Sequence, residues 1–379
     1  MPRVLLLQPR CEAYRASFYD RLRENLARRE ITLQLVYGQS NRFEGIRTAS
    51  LPWATEIRNR YFYCGRRFLL WQPAFKYLRH ADLVVIHQNS ANLANYPILL
   101  LRRWGCLRVG LWGHGRCFQA GERRPIREGF KRWYSRGVDH WFGYTSLSRE
   151  VVLRTGVPAS RITVVNNAID TTQLIRQYDN QPAGGAESAR LQLGIPRDGL
   201  VALYCGRLYG DKRLDVLTEA ATVVRNECPQ FHLVVVGEGQ SEPFVRERAA
   251  ANAQWLHFVG PKYGLERIPY FSMAACQLMP GAVGLGIVDS FAMLTPLITA
   301  DLPYHGPEIA YLENGANGLI APNSTQAFAG AVVRYLHDAG LRSRLRQGCE
   351  RARRLYTVEN MAARFSDGIL RALGREQAQ

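Results

Sequence analysis

Long apolar runs are missing from this chain. The best candidate, Tyr96-Pro97-Ile98-Leu99-Leu100-Leu101, stops at Arg102-Arg103, far short of the roughly 20 residues a bilayer-spanning helix needs. The run Val4–Leu7 meets Gln8-Pro9-Arg10 at once. That is too short for a signal peptide, so the chain is expected in the cytoplasm and the run reads as a first buried strand. Paired cysteines are missing too. Eight cysteines are scattered with no C-x-x-C pair, and no His/Cys cluster has zinc-finger spacing, so neither a disulfide framework nor a structural zinc is expected. There is no D-x-D metal motif and no serine-hydrolase arrangement. Low-complexity stretches are absent as well, with 47% hydrophobic and 21% charged residues, an ordinary globular composition.

Lysine is scarce: of 49 basic side chains only Lys76, Lys131, Lys212 and Lys262 are lysines. The net charge is nevertheless +17, and it is uneven. Residues 1–180 carry 29 basic and 13 acidic side chains, the remainder 20 and 19. Such an asymmetry points to an anionic partner for the first half: nucleic acid, an acidic membrane surface or a phosphorylated substrate.

The pattern is short apolar runs separated by amphipathic stretches, which predicts an α/β fold. In the first half strands are expected at Val4–Leu7, Leu33–Val36, Leu83–Ile86, Arg108–Trp112, His140–Tyr144 and Ile162–Val165. Helices are expected at Ala13–Arg28, Ala91–Trp104, Pro125–Arg136 and Leu147–Thr155. After a linker over 181–199, a second series begins with strand Leu200–Cys205, and everything from Thr325 onward reads as helical. The expectation is two doubly wound domains, 1–180 and 200–356, with a final helix over 357–379 that crosses back to the first. Ligands of such sheets bind outside the carboxyl ends of the strands, which with two facing domains places the site in a cleft.

The segment with most chemical content is Val201–Leu217. A buried strand ends at Gly206, Arg207 and Lys212 follow, and a helix begins. Glycine permits close backbone approach, and two cations near a helix N-terminus suit a diphosphate; a plain solvated loop fits the same residues. Val234–Gly239 and Leu256–Gly260 end in glycine at the same rim, with Gly237, Val259 and Gly260 at the tips. The loop Pro280–Gly286 then enters a short helix carrying one carboxylate, Asp289.

These stretches resemble family 4 glycosyltransferases of the GT-B fold. The matching segments are Gly206–Lys212, Val235–Gly239, Phe258–Gly260, Pro280–Pro296 and Glu313–Leu319. The resemblance implies two facing Rossmann-like domains and a retaining transfer from a nucleotide-diphosphate sugar, UDP- or GDP-linked, without a bound metal or other cofactor. Carried over residue by residue, Gly206, Arg207 and Lys212 bind the donor diphosphate. Gly237, Val259 and Gly260 lie in the nucleobase region. The family has two glutamates eight positions apart; here they are replaced by Gly281 and Asp289. Asp289 is then expected on the ribose, and the loop Gly281, Ala282, Val283, Gly284 and Leu285 on the donor sugar, the amides of Ala282 to Gly284 substituting for the missing carboxylate. Upstream, Arg108–Gly115 is similar to the strand whose terminal histidine faces the reaction centre, which implies a catalytic role for His114. His87 has a similar strand-tip position. The first loop lacks the family's glycine pair, and Arg10 or Arg15 is expected to meet an anionic acceptor group.

Two stretches interleave aromatic and basic residues: Arg58–Trp71 and Pro125–Arg136. In the second, Ile126, Phe130 and Trp133 share one helical face. Either packing against the sheet or an interfacial helix on anionic headgroups accounts for this. The resulting expectation is a glycosyltransferase of cell-envelope polysaccharide synthesis, acting on a glycan or lipid-linked acceptor at an anionic membrane surface. The alternatives are a nucleotide-sugar epimerase of the same fold and a non-catalytic scaffold. Nucleic acid is not expected, since no reader motif is present.

Overall fold

The computed structural model describes residues 1–43, 47–65, 67–115, 133–181 and 184–375. The chain forms two compact units, one holding Met1–Asp170 with the stretch from Thr357 onward, the other Thr171–Tyr356. The junction thus falls ten residues before the expected boundary at 180. The expected linker 181–199 is also not a linker: helix Gly185–Gln192 lies within it and packs on helix Ile268–Met273.

In the first unit the strands are β1 (Arg3–Gln8), β2 (Thr32–Gly38), β3 (Thr55–Ile57), β4 (Arg60–Cys64), β5 (Arg67–Trp71), β6 (Leu83–His87), β7 (Arg108–Gly113), β8 (His140–Gly143) and β9 (Ile162–Val164). Seven form one sheet in the order β3-β2-β1-β6-β7-β8-β9, every pairing parallel. The continuous apolar runs follow from this, because a parallel strand covered on both faces has no polar side. Side chains alternate between two cores. Val4, Leu6 and Val85 join Phe18, Leu22 and Phe365 on one face; Leu5, Leu7, Val84 and Ile86 join Ile98 and Trp141 on the other. Helices Ala16–Ala27 and Val358–Leu373 cover the first face side by side. Gly368 on the latter is required: a Cβ there would lie 2.7 Å from the Phe142 ring.

β4 and β5 are a separate antiparallel hairpin. Tyr61, Tyr63 and Phe68 contact one another on one face. On the other, the rung Phe62–Leu69 stands in solvent, 56% and 46% exposed. This hairpin and β3 have no counterpart among the expected strands.

The second unit contains β10 (Leu200–Cys205), β11 (Phe231–Val236), β12 (Leu256–Gly260), β13 (Cys276–Met279), β14 (Leu297–Ala300) and β15 (Gly318–Ala321). They form one parallel sheet, β12-β11-β10-β13-β14-β15. Counted within each sheet, both begin 3-2-1-4-5-6, the doubly wound order. The strand order reverses between β10 and β13 in one and between β1 and β6 in the other, and ligands of such sheets bind at that reversal.

Candidate functional site

At the reversal point of the second unit, the turn Gly210–Lys212 after β10 lies directly on the loop after β13. The Lys212 ammonium donates to Ala282 O at 2.6 Å and pairs with Asp211 at 3.3 Å. In return the Ala282 N–H donates to Asp211 O at 2.9 Å. Val283 N–H donates to His305 Nδ1 at 3.0 Å, and the His305 Nε2 contact with Ala300 O is 2.8 Å. A carbonyl only accepts, so Nε2 carries the proton and Nδ1 is the acceptor. Burial lowers the pKa of His305, which keeps this neutral tautomer in place. Gly306 N–H closes the loop onto Val283 O at 2.7 Å. The Ala282 and Val283 amides, expected on a donor sugar, therefore serve the loop itself, while Gly284 and Leu285 are part-exposed.

Arg207 extends into solvent with Glu238 at 3.5 Å, and the Tyr204 hydroxyl donates to Arg207 O at 2.6 Å, fixing the backbone beneath. At Gly206 a Cβ would make ordinary contacts, with Tyr204 Oη at 3.5 Å and Met279 Cε at 3.7 Å. Gly237 differs. Its φ is +155° and a Cβ would lie 1.9 Å from Gly206 O. It therefore makes room for the chain's own backbone. Gly260, at the tip of β12, turns with φ +75° and accepts the Gly237 N–H at 3.0 Å; Val259 beside it is part-exposed.

Asp289 does not stand alone. Arg267 donates to both of its oxygens, at 2.6 and 3.1 Å, with the two side chains 19% and 12% exposed. Burial works against the guanidinium's charge, but the field and hydrogen bonds of Asp289 outweigh it, and the Arg267 pKa is raised. Arg267 Nε donates to Gly264 O at 3.2 Å, so one side chain ties the turn after β12 to the helix Gly286–Ala292. No local motif marks this pair, because its members are 22 positions apart and meet only through the sheet. His305 was invisible for the same reason.

At the reversal point of the first unit, Pro9 and Arg10 after β1, His87 at the end of β6 and Asn89 beyond it line a small cavity of about 110 Å³, roofed by Tyr61, Phe68 and Leu70 of the hairpin. His114 follows β7, edge-on to the Tyr144 ring at 4.2 Å. Burial first, and then the charge of Arg15, lowers its pKa to about 4. His87 is pushed down to about 3 by burial, His114, Arg15 and Arg10. Both imidazoles are neutral at pH 7. Arg15 points into the unit and is only 4% exposed. It donates to Asn167 Oδ1 at 3.1 Å and Tyr144 Oη at 3.3 Å, and lies 4.7 Å over the Trp112 ring. The anion beside it is Glu12 at 3.6 Å, which also lies 3.4 Å from Arg10. Arg15 is thus a buried brace rather than the surface contact expected for an acceptor. Most of the expected helix Pro125–Arg136 lies outside the described residues; of its apolar stripe, Trp133 is described and is 55% exposed.

Comparison with known proteins adds to this geometry. Residues 16–173 match the model described as Glycosyltransferase Family 4, and residues 199–338 that described as Glycosyl transferases group 1. Together they span well over half of the chain. The chain belongs to family 4 of the glycosyltransferases. A D-inositol 3-phosphate glycosyltransferase of Acidothermus cellulolyticus is 29% identical over 241 residues, 59% of this chain and 51% of that protein. The chain spans about half the length of the curated relatives it matches. Among solved structures, a glycosyltransferase of Rickettsia africae has a TM-score of 0.70 at 12% identity, covering 99% of both chains. Alr3699/HepE of Anabaena, solved in complex with UDP, has a TM-score of 0.68 at 15% identity, covering 97% of this chain and 99% of that one. Both likenesses are of fold, and the fold is GT-B.

At Gly281, the position that the resemblance aligns with the family's first glutamate, the backbone leaves no room for a side chain. A Cβ on Gly281 would lie 2.3 Å from the Lys212 carbonyl carbon and 2.4 Å from Asp211 O. No side chain fits beneath that turn.

Proposed function

We propose that this family 4 glycosyltransferase moves a sugar, with retention, from a UDP- or GDP-linked donor to a glycan or lipid-linked acceptor in cell-envelope polysaccharide synthesis. The observation that carries the reading is the Lys212 ammonium fixed at the β10/β13 reversal by Ala282 O, with the exposed guanidinium of Arg207 five residues earlier on the same loop. Two cations there stabilise a leaving diphosphate without a metal ion. In this reading Asp289 uses the lone pairs that Arg267 leaves free to accept from a ribose hydroxyl. His114, neutral at pH 7, meets a hydroxyl of the transferred sugar. The bond from the anomeric carbon to the diphosphate oxygen breaks, the acceptor oxygen bonds to that carbon from the same face, and the acceptor proton passes to the departing phosphate oxygen.

The acceptor is assigned to the basic first unit, with His87 and Arg10 lining its cavity. The exposed Phe62–Leu69 rung flanked by Arg60 and Arg67 supports peripheral attachment to an anionic membrane face. No helix among the described residues is long and apolar enough to cross a membrane.

The test is a thermal-shift and calorimetric screen of UDP, GDP and their sugars. The reading requires one nucleotide diphosphate to bind the wild type and to bind Lys212→Ala more weakly. Equal, absent binding of all of them would overturn it.

A further inference from the structure

The rim of the first sheet holds a second, larger concavity outside the cavity at His87. It has a volume of about 840 Å³ and is lined by Arg58, Arg60, Lys76, Glu56, Tyr61 and Tyr77 among others. Three cations face it against one carboxylate. None of the three has an ion-pair partner among the described residues. Arg58 directly follows β3, so this concavity lies at the carboxyl end of the edge strand, on the rim that carries Pro9 after β1 and His87 at the end of β6. From β6 to β3 is three strand spacings, roughly 14 Å. One residue borders both cavities: Tyr61 of β4. Its hydroxyl donates to Gln39 O at 2.7 Å, which holds the shared wall in place.

We propose that the Arg58–Arg60–Lys76 concavity is an anion subsite, binding a phosphate or carboxylate borne roughly 14 Å from the acceptor's reacting end; this rests on the acceptor being held at the His87 cavity. Exposed cations of this kind recognise an anion only when several converge. Arg58 lies between β3 and the hairpin, Arg60 opens the hairpin, and Lys76 comes from the turn Phe75–His80. The chemistry is that of a phosphorylated or uronate-bearing glycan, or of a lipid phosphate.

The probe is inorganic tripolyphosphate, titrated calorimetrically into the full chain with UDP saturating, so that Arg207 and Lys212 are occupied. Arg58→Gln/Arg60→Gln/Lys76→Gln should weaken tripolyphosphate binding by about ten-fold or more, with the UDP affinity unchanged. Lys76→Glu alone, on an exposed turn, should weaken it in the same direction. Tripolyphosphate affinity unchanged in both variants overturns the proposal. Sedimentation with phosphatidylglycerol against phosphatidylcholine vesicles separates the two sources. Vesicle binding lost together with tripolyphosphate binding assigns the subsite to a lipid headgroup; vesicle binding retained assigns it to a charge on the acceptor. Failure of UDP to bind the wild type would remove the donor reading but leave the titration, then run without UDP, as the test of the subsite.

Discussion

Arg267 holds both oxygens of Asp289 in a fork, at 2.6 and 3.1 Å, at the position that the resemblance aligns with the family's second glutamate. Aspartate is one methylene shorter than glutamate, and the guanidinium fixes where the shorter carboxylate sits. Removing one partner leaves a largely buried charge. Arg267→Ala should cost about 3–5 kcal/mol in chemical denaturation, whereas a double Arg267→Met, Asp289→Leu replacement should cost clearly less. Equal costs for both would show that the pair is not coupled.

Restoring the family's first carboxylate should not help this protein. Gly281→Glu forces a Cβ to within 2.3 Å of the Lys212 backbone, so the turn Gly210–Lys212 must move. The expected result is a loss of about 2–3 kcal/mol of stability and weaker nucleotide binding. Stability equal to wild type with gained turnover would contradict the steric account.

Donor affinity should depend on the braced loop as well as on the cations. Lys212→Ala and Arg207→Ala should each cost roughly 1.5–3 kcal/mol of donor binding. His305→Ala removes the acceptor of the Val283 amide and should raise the donor KM with the acceptor KM unchanged. His114→Ala should lower turnover with the fold intact. Steady-state kinetics with each substrate varied in turn separates these outcomes.

Acid should weaken the first unit in a defined window. In the unfolded chain His87 and His114 take up protons near pH 6.5; folded, they stay neutral to about 3 and about 4. The unfolded state therefore binds more protons in between. Stability is full above about pH 6.5 and falls as the pH drops toward 4, by up to about 1.4 kcal/mol per pH unit for each ring. A His87→Gln, His114→Gln double variant should show a shallower decline in Tm between pH 7 and pH 5.

The hairpin should carry membrane attachment. Each cation near an anionic surface contributes about 1 kcal/mol, screened by salt, and the Phe62–Leu69 rung adds a part that salt does not affect. Phe62→Ser with Leu69→Ser should reduce co-sedimentation with acidic vesicles at high salt more than at low salt. Equal, negligible binding to acidic and neutral vesicles would discard the attachment.

Strands such as Val4–Leu7 and Leu83–Ile86 were legible because burial on both faces writes an unbroken apolar run. β14 and β15, Leu297–Ala300 and Gly318–Ala321, were not read as strands, since Pro296 before the one and Gly318 at the head of the other read as loop punctuation. The hairpin is legible only as an aromatic and basic stretch, not as two strands, because its alternation sets aromatic against aromatic rather than apolar against polar. At the site, cations and glycines that follow strand tips announced themselves. What the glycines accommodate did not: Gly237 and Gly281 yield to Gly206 O and Lys212, contacts made only by folding. Arg15 shows the converse, a charge that composition assigns to solvent and that Tyr144, Asn167 and Trp112 draw inside.

The first unit is discontinuous along the chain, and this sets an order of events during synthesis. Phe365 stacks on Phe142 at 4.2 Å and meets Trp112 at 5.1 Å and Phe18 at 5.5 Å. Those three rings are translated long before Val358–Leu373 emerges. The second unit, contiguous from Thr171 to Tyr356, has all its strands available first, while the earlier-made sheet waits with only helix Ala16–Ala27 on that face. A nascent chain arrested before Val358 is therefore the form most exposed to chaperone capture and aggregation.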